Sequence, residues 1–181
     1  MKKIFFALLL TICVLNLNAQ KYFTKTGNIQ FLSKTPLEDI TAENRKVVSV
    51  LDVATGALEF SLLMKGFDFP NQLMEDHFNE SYAESSLFPK ATFKGKIVDL
   101  SKIDFKKDGT YTADVLGNLT IKDVTKEIKT SVTFVIKNGT IVATSKIDIK
   151  PREFNFKIPA TAENKIAQSV AVNIKMDYAL K

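Results

Sequence analysis

The chain has 181 residues, of which 45% are hydrophobic and 25% are charged, a composition that suits one globular domain. Its formal net charge is +5, and no block of five or more like charges occurs. Such spread charge predicts a solvated surface, no nucleic-acid-binding arm and, at most, a weak attraction to anionic membranes. One cysteine, Cys13, and one histidine, His77, do not supply a zinc site, and we expect no cofactor.

The first nineteen residues have the layout of a secretory signal peptide. Two lysines precede an apolar run at 4–15, which is shorter than the roughly 20 residues of a transmembrane helix. We expect cleavage after Ala19, so that 1–19 is removed and 20–181 forms one exported, periplasmic or secreted domain without a transmembrane segment. Cys13 follows an isoleucine in the middle of the run, which disfavours lipidation, and its removal leaves no cysteine.

Alternation of apolar and polar residues dominates the remaining chain, and this period of two is typical of half-buried antiparallel strands. The first predicted strand ends before Pro36, and a β-rich run at 46–53 has an undetermined phase. The inward positions of the predicted strands are Ile29, Phe31 and Ser33; Leu58, Phe60, Leu62 and Met64; Ala91, Phe93, Gly95 and Ile97; Tyr111, Ala113, Val115, Gly117, Leu119 and Ile121; Ile128, Thr130, Val132, Phe134 and Ile136; Ile141, Ala143, Ser145, Ile147 and Ile149; and every second residue from Ile166 to Leu180.

Two features organise these strands into a sheet. Asn138-Gly139 between two alternating runs is a strong hairpin signal. The count of about eight strands approaches that of a closed barrel able to hold one small ligand, and pairing of the last strand with the first removes exposed edges. Gly95 and Gly117 lie on the inward face, where they indicate either barrel curvature or space for a ligand.

One segment, 71–86, departs from the β pattern. It is rich in helix formers, follows Pro70 and has Asn71 as its candidate N-cap. One side is formed by Leu73, Met74, His77, Phe78, Ser81 and Tyr82. We therefore predict a short amphipathic helix inserted between strands.

The order of these elements resembles the YceI-like family of lipocalin-like, polyisoprenoid-binding exported bacterial proteins. The residues that carry the resemblance are Gly27, Ile29 and Phe31; Phe67, Asp68 and Phe69; Met74, His77 and Phe78; Tyr82, Ser85, Pro89, Ala91, Thr92 and Phe93; Gly117, Leu119, Thr120, Ile121, Val124, Thr125 and Lys126; and Arg152, Phe154 and Phe156 in a closing strand. The resemblance implies an all-β, extended antiparallel barrel of about eight strands with one short inserted helix. Its bore is expected to hold a polyprenyl chain.

Two positions depart from the common family pattern. Asn155 stands where the family often has glycine, and Lys122-Asp123 occupies another segment that often contains glycine. Both departures concern local backbone or loop chemistry, and therefore the head group more than the fold.

The phenylalanines can line a cavity or fill a core, and the resemblance favours the cavity. The expected ligand-binding residues are Phe31, Phe60, Leu62, Phe67, Phe69, Met74, His77, Phe78, Tyr82, Phe93, Leu119, Phe134, Arg152, Phe154 and Phe156. Arg152 is the candidate for binding a phosphate, and the alternative is an ion pair with Glu153 or Asp148 on the outer surface. His77 is expected at the rim, either hydrogen-bonded or in contact with the ligand.

These observations favour an exported, non-enzymatic protein that binds an isoprenoid or other long-chain lipid, such as a polyprenyl phosphate or quinone. One alternative is a packed barrel with an interaction or stress-response role and no lipid. Another is a lipid-acting enzyme, which requires a polar cluster of His77 with Ser81 and Asp68. The sequence leaves a homodimer open.

Overall fold

The computed structural model describes residues 20–180, and the expected signal peptide lies outside these described residues. Eight antiparallel strands form one closed barrel, as the alternation predicts. The strands are β1 (Lys21–Lys34), β2 (Asp39–Asp52), β3 (Ala57–Leu63), β4 (Lys90–Ile97), β5 (Gly109–Ile121), β6 (Val124–Lys137), β7 (Thr140–Ile149) and β8 (Val170–Leu180). A short helix, α1 (Gln72–His77), is inserted between β3 and β4.

Each strand pairs with its neighbour in sequence, and β8 closes the barrel against β1. In that closing ladder Ile29 lies opposite Ile174, and Phe31 lies opposite Val172. Asn138 and Gly139 both have positive φ, as the predicted two-residue hairpin between β6 and β7 requires. Closure pairs the two terminal strands and so removes the edges that an open sheet exposes.

The two ends of the barrel differ in their connections. One end, which we call the mouth, carries two long connections, 64–89 and 150–169, together with the short turns after β1 and β5. The opposite, closed end carries the β4–β5 connection, 98–108, and two short turns, and it also holds residues 20 and 180. Any ligand cavity covered by mobile segments is therefore expected at the mouth.

The closed half is filled by large side chains. Phe134 is fully buried there and meets Phe105 edge to face at 6.2 Å between ring centroids. Tyr178 is also buried and shares a hydrogen bond of 2.7 Å with Ser49. Because the Ser49 hydroxyl donates to the carbonyl of Glu59, the Tyr178 hydroxyl is the donor in the pair.

The ladder is interrupted in two places. Strands β2 and β3 pair over only four residues each, and beyond them Asp68 forms a bridge with Glu43 on β2. Strands β6 and β7 diverge beyond Val132, and a 2.9 Å contact between the hydroxyls of Thr130 and Ser145 spans the start of the gap. Both interruptions lie on the mouth side, where neighbouring strands separate and the barrel widens.

Three predicted elements differ from those observed. The predicted helix ends early, because α1 passes into a π turn at Phe78–Tyr82 and Glu84 has a φ of +49°. The last strand begins at Val170 and not at Ile166, because the preceding loop instead bonds to β1 through Ser33. The expected closing strand is a 3₁₀ turn, Pro151–Phe154, since proline starts it and the left-handed Asn155 ends it.

We predict that Tyr178→Phe weakens the fold by about 1 kcal/mol at neutral pH, because the Ser49 hydroxyl loses its donor. Burial also raises the pKa of Tyr178 to about 12, above the value of about 10 expected in the unfolded chain. The raised pKa contributes stability that is complete below about pH 10 and is lost as the pH rises to about 12.

Urea unfolding across this pH range checks the prediction. The wild-type free energy of unfolding should fall more steeply between pH 10 and 12 than that of Tyr178→Phe. Tyr111→Phe, which removes an exposed hydroxyl bonded to the Lys107 carbonyl, is the control and should retain the wild-type slope. Identical slopes in wild type and Tyr178→Phe would contradict the attribution of this pH dependence to the raised pKa of Tyr178.

Candidate ligand-binding cavity

A cavity of about 780 Å³ occupies the half of the barrel nearest the mouth. This volume falls within the roughly 300–1,000 Å³ typical of small-molecule sites. Its wall is mainly apolar, with Ile29 on β1, Leu62 on β3, Ile121 on β5, Ile149 on β7 and Val172 on β8. Alternation directs every second side chain of a strand to this inner face, so the apolar character of the wall follows from the strand pattern.

Five phenylalanines form a connected cluster over the cavity. The ring of Phe78 is the centre of this cluster, at 5.1 Å from Phe69, 5.8 Å from both Phe31 and Phe67, and 6.4 Å from Phe156. These separations and the tilted or edge-on angles are favourable for aromatic pairs. The cluster joins β1 to both long connections and forms an apolar lid.

The position of Phe78 depends on the end of α1. Asn71 caps the helix by accepting a 2.8 Å hydrogen bond from the backbone of Leu73, as predicted. At the other end, Ala83 donates to the carbonyl of Phe78 across five residues, which widens the last turn into a π turn. Such turns are rare and occur frequently at functional sites.

Phe67 and Phe69 reach the lid because the segment that follows β3 keeps running beside β2. Backbone hydrogen bonds in both directions join Asp68 to Glu43, so the two phenylalanines on either side share the opposite face. The buried Asn44 supports this path by donating to the carbonyl of Leu63. A Cβ atom at Gly66 would lie 2.8 Å from the Asn44 amide nitrogen, so a larger residue there would displace the amide that donates to Leu63.

The floor of the cavity is made by Phe60, whose ring stacks on that of Phe93 below it at 5.3 Å with an interplanar angle of 15°. A smaller apolar space of about 50 Å³ follows towards the closed end. Gly95 and Gly117 face each other across β4 and β5, and a Cβ on either would lie within 2.7 Å of the Phe93 ring. The two glycines therefore make room for the Phe93 ring and for close backbone approach, and not for a ligand.

One buried lysine ties the mouth together. The Lys122 side chain, 2% exposed, donates to the Glu84 carboxylate at 2.6 Å, to the Asn155 carbonyl at 2.7 Å and to the Tyr82 carbonyl at 3.4 Å. Its three donors are thereby satisfied, and the ring of Phe156 lies 5.7 Å away. The β5–β6 turn is thus joined to both long connections that carry the lid.

The lysines around Glu84 determine its ionisation. Hydrogen bonds from Lys122, and then from Lys157, hold the pKa of this carboxyl below its usual value. Glu84 therefore stays ionised at neutral pH and keeps both lysines paired. Towards solvent, the polar residues lining the cavity include His77, Ser81, Glu38 and Lys165.

The structure does not assemble the polar cluster that catalysis was expected to need. Among residues 20–180, no hydrogen bond joins His77 to Ser81 or Asp68, and His77 is exposed. The same described range holds no group of three or more His, Cys, Asp or Glu residues arranged to bind a metal ion. No helix within it has the length and hydrophobicity that a membrane crossing requires.

Comparison with known proteins identifies the family. Residues 19–178 match the family model described as a YceI-like domain. The chain belongs to the YceI-like family. No curated protein sequence matches the chain.

Solved structures share the fold of this YceI-like chain at low sequence identity. A polyisoprenoid-binding domain from Saccharophagus degradans, implicated in plant cell wall breakdown, has a TM-score of 0.76 and 15% identity, covering 90% of this chain and 99% of that one. BcnA of Burkholderia cenocepacia has a TM-score of 0.69 and 20% identity, covering 84% and 96%. The Campylobacter jejuni YceI protein has a TM-score of 0.53 and 16% identity, covering 100% and 99%.

The two departures from the common YceI-like pattern meet in space. Lys122 and Asn155 have φ angles of +55° and +57°, the left-handed region that favours glycine. Asn155 donates from its amide to the Asp123 carboxylate at 3.0 Å and accepts from Lys122 through its carbonyl. The strain of left-handed backbone at both positions is therefore offset by side-chain bonds that glycine cannot make.

Eleven of the fifteen residues expected to bind a ligand line the large cavity. They are Phe31, Phe60, Leu62, Phe67, Phe69, Met74, His77, Phe78, Tyr82, Leu119 and Phe156. The inward phase of the strands and the amphipathic spacing of the helix predicted eight of these residues, and the family resemblance supplied Phe67, Phe69 and Phe156. Their placement in one lining makes them the candidates for ligand contact.

Four expected residues lie elsewhere. Phe93 borders only the small space below the floor, and Phe134 is packed against Phe105 in the closed half. Phe154 is buried beneath Lys126 outside the cavity lining. Arg152 is exposed and pairs with Glu163 at 2.6 Å, because its 3₁₀ turn replaces the predicted strand.

The residue-by-residue prediction missed part of the wall. Ile147, Val172 and Ile174 line the cavity, and their inward phase was visible in the strand alternation. Ile158 and Ile166 also line it from the 150–169 connection, where no periodic pattern exists. Only the folded path of that connection brings them over the barrel.

We predict that Lys122→Met lowers the free energy of unfolding by about 3 kcal/mol, because it leaves the acceptors around a buried ammonium without a donor. Lys129→Met, which breaks an exposed pair with Asp114, is the matched control and should change it by less than about 1 kcal/mol. Urea unfolding measures both changes. Equal effects of the two substitutions would show that Lys122 does not tie the mouth.

Proposed function

We propose that this chain is an exported binding protein that holds the isoprenoid tail of a lipid in its mouth-side cavity and performs no catalysis. The observation that carries the proposal is a mainly apolar space of about 780 Å³ partly covered by a lid of phenylalanines. A completely packed barrel, the main alternative, does not accommodate a space of this size.

The cavity suits a long apolar chain because burial alone supplies the affinity. Each methylene group moved from water into an apolar site contributes roughly 0.8 kcal/mol, so a prenyl tail needs no strong polar contact. The aromatic lid and the branched wall residues offer dispersion contacts along the tail. Membership of the YceI-like family, and the polyisoprenoid-binding description of the Saccharophagus domain, support an isoprenoid in particular.

The mouth supports a neutral head group, such as a quinone, over a phosphate. Lys122 is saturated by its three acceptors, Arg152 is paired with Glu163, and Lys157 is paired with Glu84. Of the residues that line the cavity, only Lys165 is a cation without an ion pair within 20–180. Phosphate sites normally combine several cationic or backbone donors, which this lining does not present.

Export is part of the proposal, and it rests on the signal-like pattern of 1–19 in the sequence. N-terminal sequencing of the protein recovered from outside the cytoplasm should begin at Gln20. A cytoplasmic product that still starts at residue 1 would contradict export.

Mass spectrometry of an organic extract tests the binding function directly. Protein purified from its native source without detergent should release a prenyl lipid in near-stoichiometric amount, with a quinone expected over a polyprenyl phosphate. A clean extract from folded protein that also takes up no added prenyl lipid would refute the proposal.

A substitution that fills the cavity tests its location. Val172→Trp should abolish uptake of a prenyl quinone, because the indole occupies space between Phe31 and Ile147 on the neighbouring strands. Val135→Trp, at an exposed position on the outer surface of β6, is the control and should retain wild-type uptake. Uptake is measured by mass spectrometry of the quinone that stays bound to folded protein after gel filtration, because the wild-type chain has no tryptophan to report on binding. Undiminished uptake by Val172→Trp would place the ligand elsewhere.

A further inference from the structure

Four strongly exposed leucines lie at the mouth end of the barrel. Leu37, Leu63, Leu73 and Leu87 are between 55% and 73% exposed, and each belongs to a connection or strand end at the mouth. Isolated exposed leucines are ordinary on protein surfaces, so their number alone carries no argument. Their shared location around the entrance to an apolar cavity is the observation that needs an explanation.

Two of these leucines lie on adjoining segments, which we call the β3–β4 corner (63–65 and 87–90). Leu63 is opposite Lys90 in the ladder between β3 and β4, and the backbone of Met64 donates to the carbonyl of Pro89 at 2.9 Å. Leu87 lies only three residues before Lys90. The corner therefore presents apolar side chains on two neighbouring backbones.

The same corner carries unneutralised positive charge. Lys65 and Lys90 are exposed, and neither forms an ion pair within residues 20–180. Of the carboxylates nearest in sequence, Glu84 is already engaged by Lys122 and Lys157, and Asp68, three residues after Lys65, forms no ion pair with either corner lysine. Exposed leucines beside free lysines are the combination with which peripheral proteins bind anionic bilayer surfaces.

The exposed apolar surface continues into the cavity. Leu73 lines the cavity although it is 61% exposed, and Leu37 precedes Glu38, which also lines it. A lipid tail passing between a bilayer and the cavity at this point need not cross water. This continuity favours a membrane over a protein as the occupant of the surface.

We propose that the mouth end docks on anionic lipid bilayers, with these four leucines entering the head-group and acyl boundary and Lys65 and Lys90 contacting anionic head groups. The proposed function supplies only the reason for docking, namely cargo exchange. Docking itself is a property of the exposed surface and is measurable with vesicles that contain no prenyl lipid.

Vesicle flotation tests this docking. Wild-type protein should float with vesicles of phosphatidylcholine and phosphatidylglycerol, bind less to pure phosphatidylcholine, and be released by high salt. Leu63→Ser combined with Leu87→Ser should lower the partition coefficient at least about tenfold, because two apolar side chains no longer leave water. Lys65→Gln combined with Lys90→Gln should remove most of the preference for anionic vesicles.

The opposite end of the barrel provides a matched control. Val98 and Leu180 are exposed to a similar degree but lie at the closed end. Val98→Ser combined with Leu180→Ser should leave vesicle binding unchanged, and all variants should melt near the wild-type temperature because every substituted side chain is exposed. Equal losses in the control and in the leucine variant, or wild-type protein that binds no vesicles, would overturn the proposal.

Cargo measurements separate this inference from the proposed function. Prenyl-quinone uptake from detergent solution should be the same in wild type and in the Leu63/Leu87 variant, whereas uptake from anionic vesicles should be slower in the variant. Equal uptake rates from vesicles would refute docking and leave the binding function intact. Vesicle binding by a protein that takes up no quinone from detergent would refute the binding function and leave docking intact.

Discussion

The buried ammonium of Lys122 is the constraint on which the cavity depends. A charge removed from water must be matched by acceptors, and here those acceptors lie on the two connections that cover the barrel, Glu84 and Tyr82 on one and Asn155 on the other. These polar bonds hold the two connections over the cavity, where no side chains of residues 20–180 pack beneath the lid. Covering a cavity by apolar contacts alone would favour collapse of the lid into it.

The interior of the barrel has a packed half and a hollow half. In the closed half, Phe134, Tyr178 and their neighbours fill the bore, and the stacked Phe60 and Phe93 form the boundary. Above that boundary the strands present mainly branched aliphatic side chains around the cavity, and four of the five lid rings sit on the connections, with Phe31 on β1 as the fifth. An eight-stranded barrel is near the size at which both outcomes are possible, so the placement of its aromatic residues decides between them.

Local patterns were reliable wherever a short-range physical rule applies. Alternation identified the strands, Asn138-Gly139 identified a hairpin, and Asn71 identified the start of the helix. The errors occurred where a tertiary bond competes with periodicity. Alternation extends the last strand back to Ile166, but the adjacent backbone bonds to Ser33. The family resemblance places Arg152 in a strand, but Pro151 and Asn155 make this segment a 3₁₀ turn.

The sequence by itself determined the barrel class, the inward faces of its strands and eleven of the fifteen candidate binding residues that line the cavity. The inward faces follow from side-chain periodicity and turn chemistry, which act over a few neighbouring residues, whereas the resemblance to the YceI-like family favoured a hollow barrel and its binding residues. Only the tertiary structure decided that Phe134 packs a core while Phe78 covers a cavity, and that Lys122 joins segments more than thirty residues apart. Those outcomes depend on which side chains meet across the bore, and the one-dimensional pattern of apolar residues is the same for a filled barrel and a hollow one.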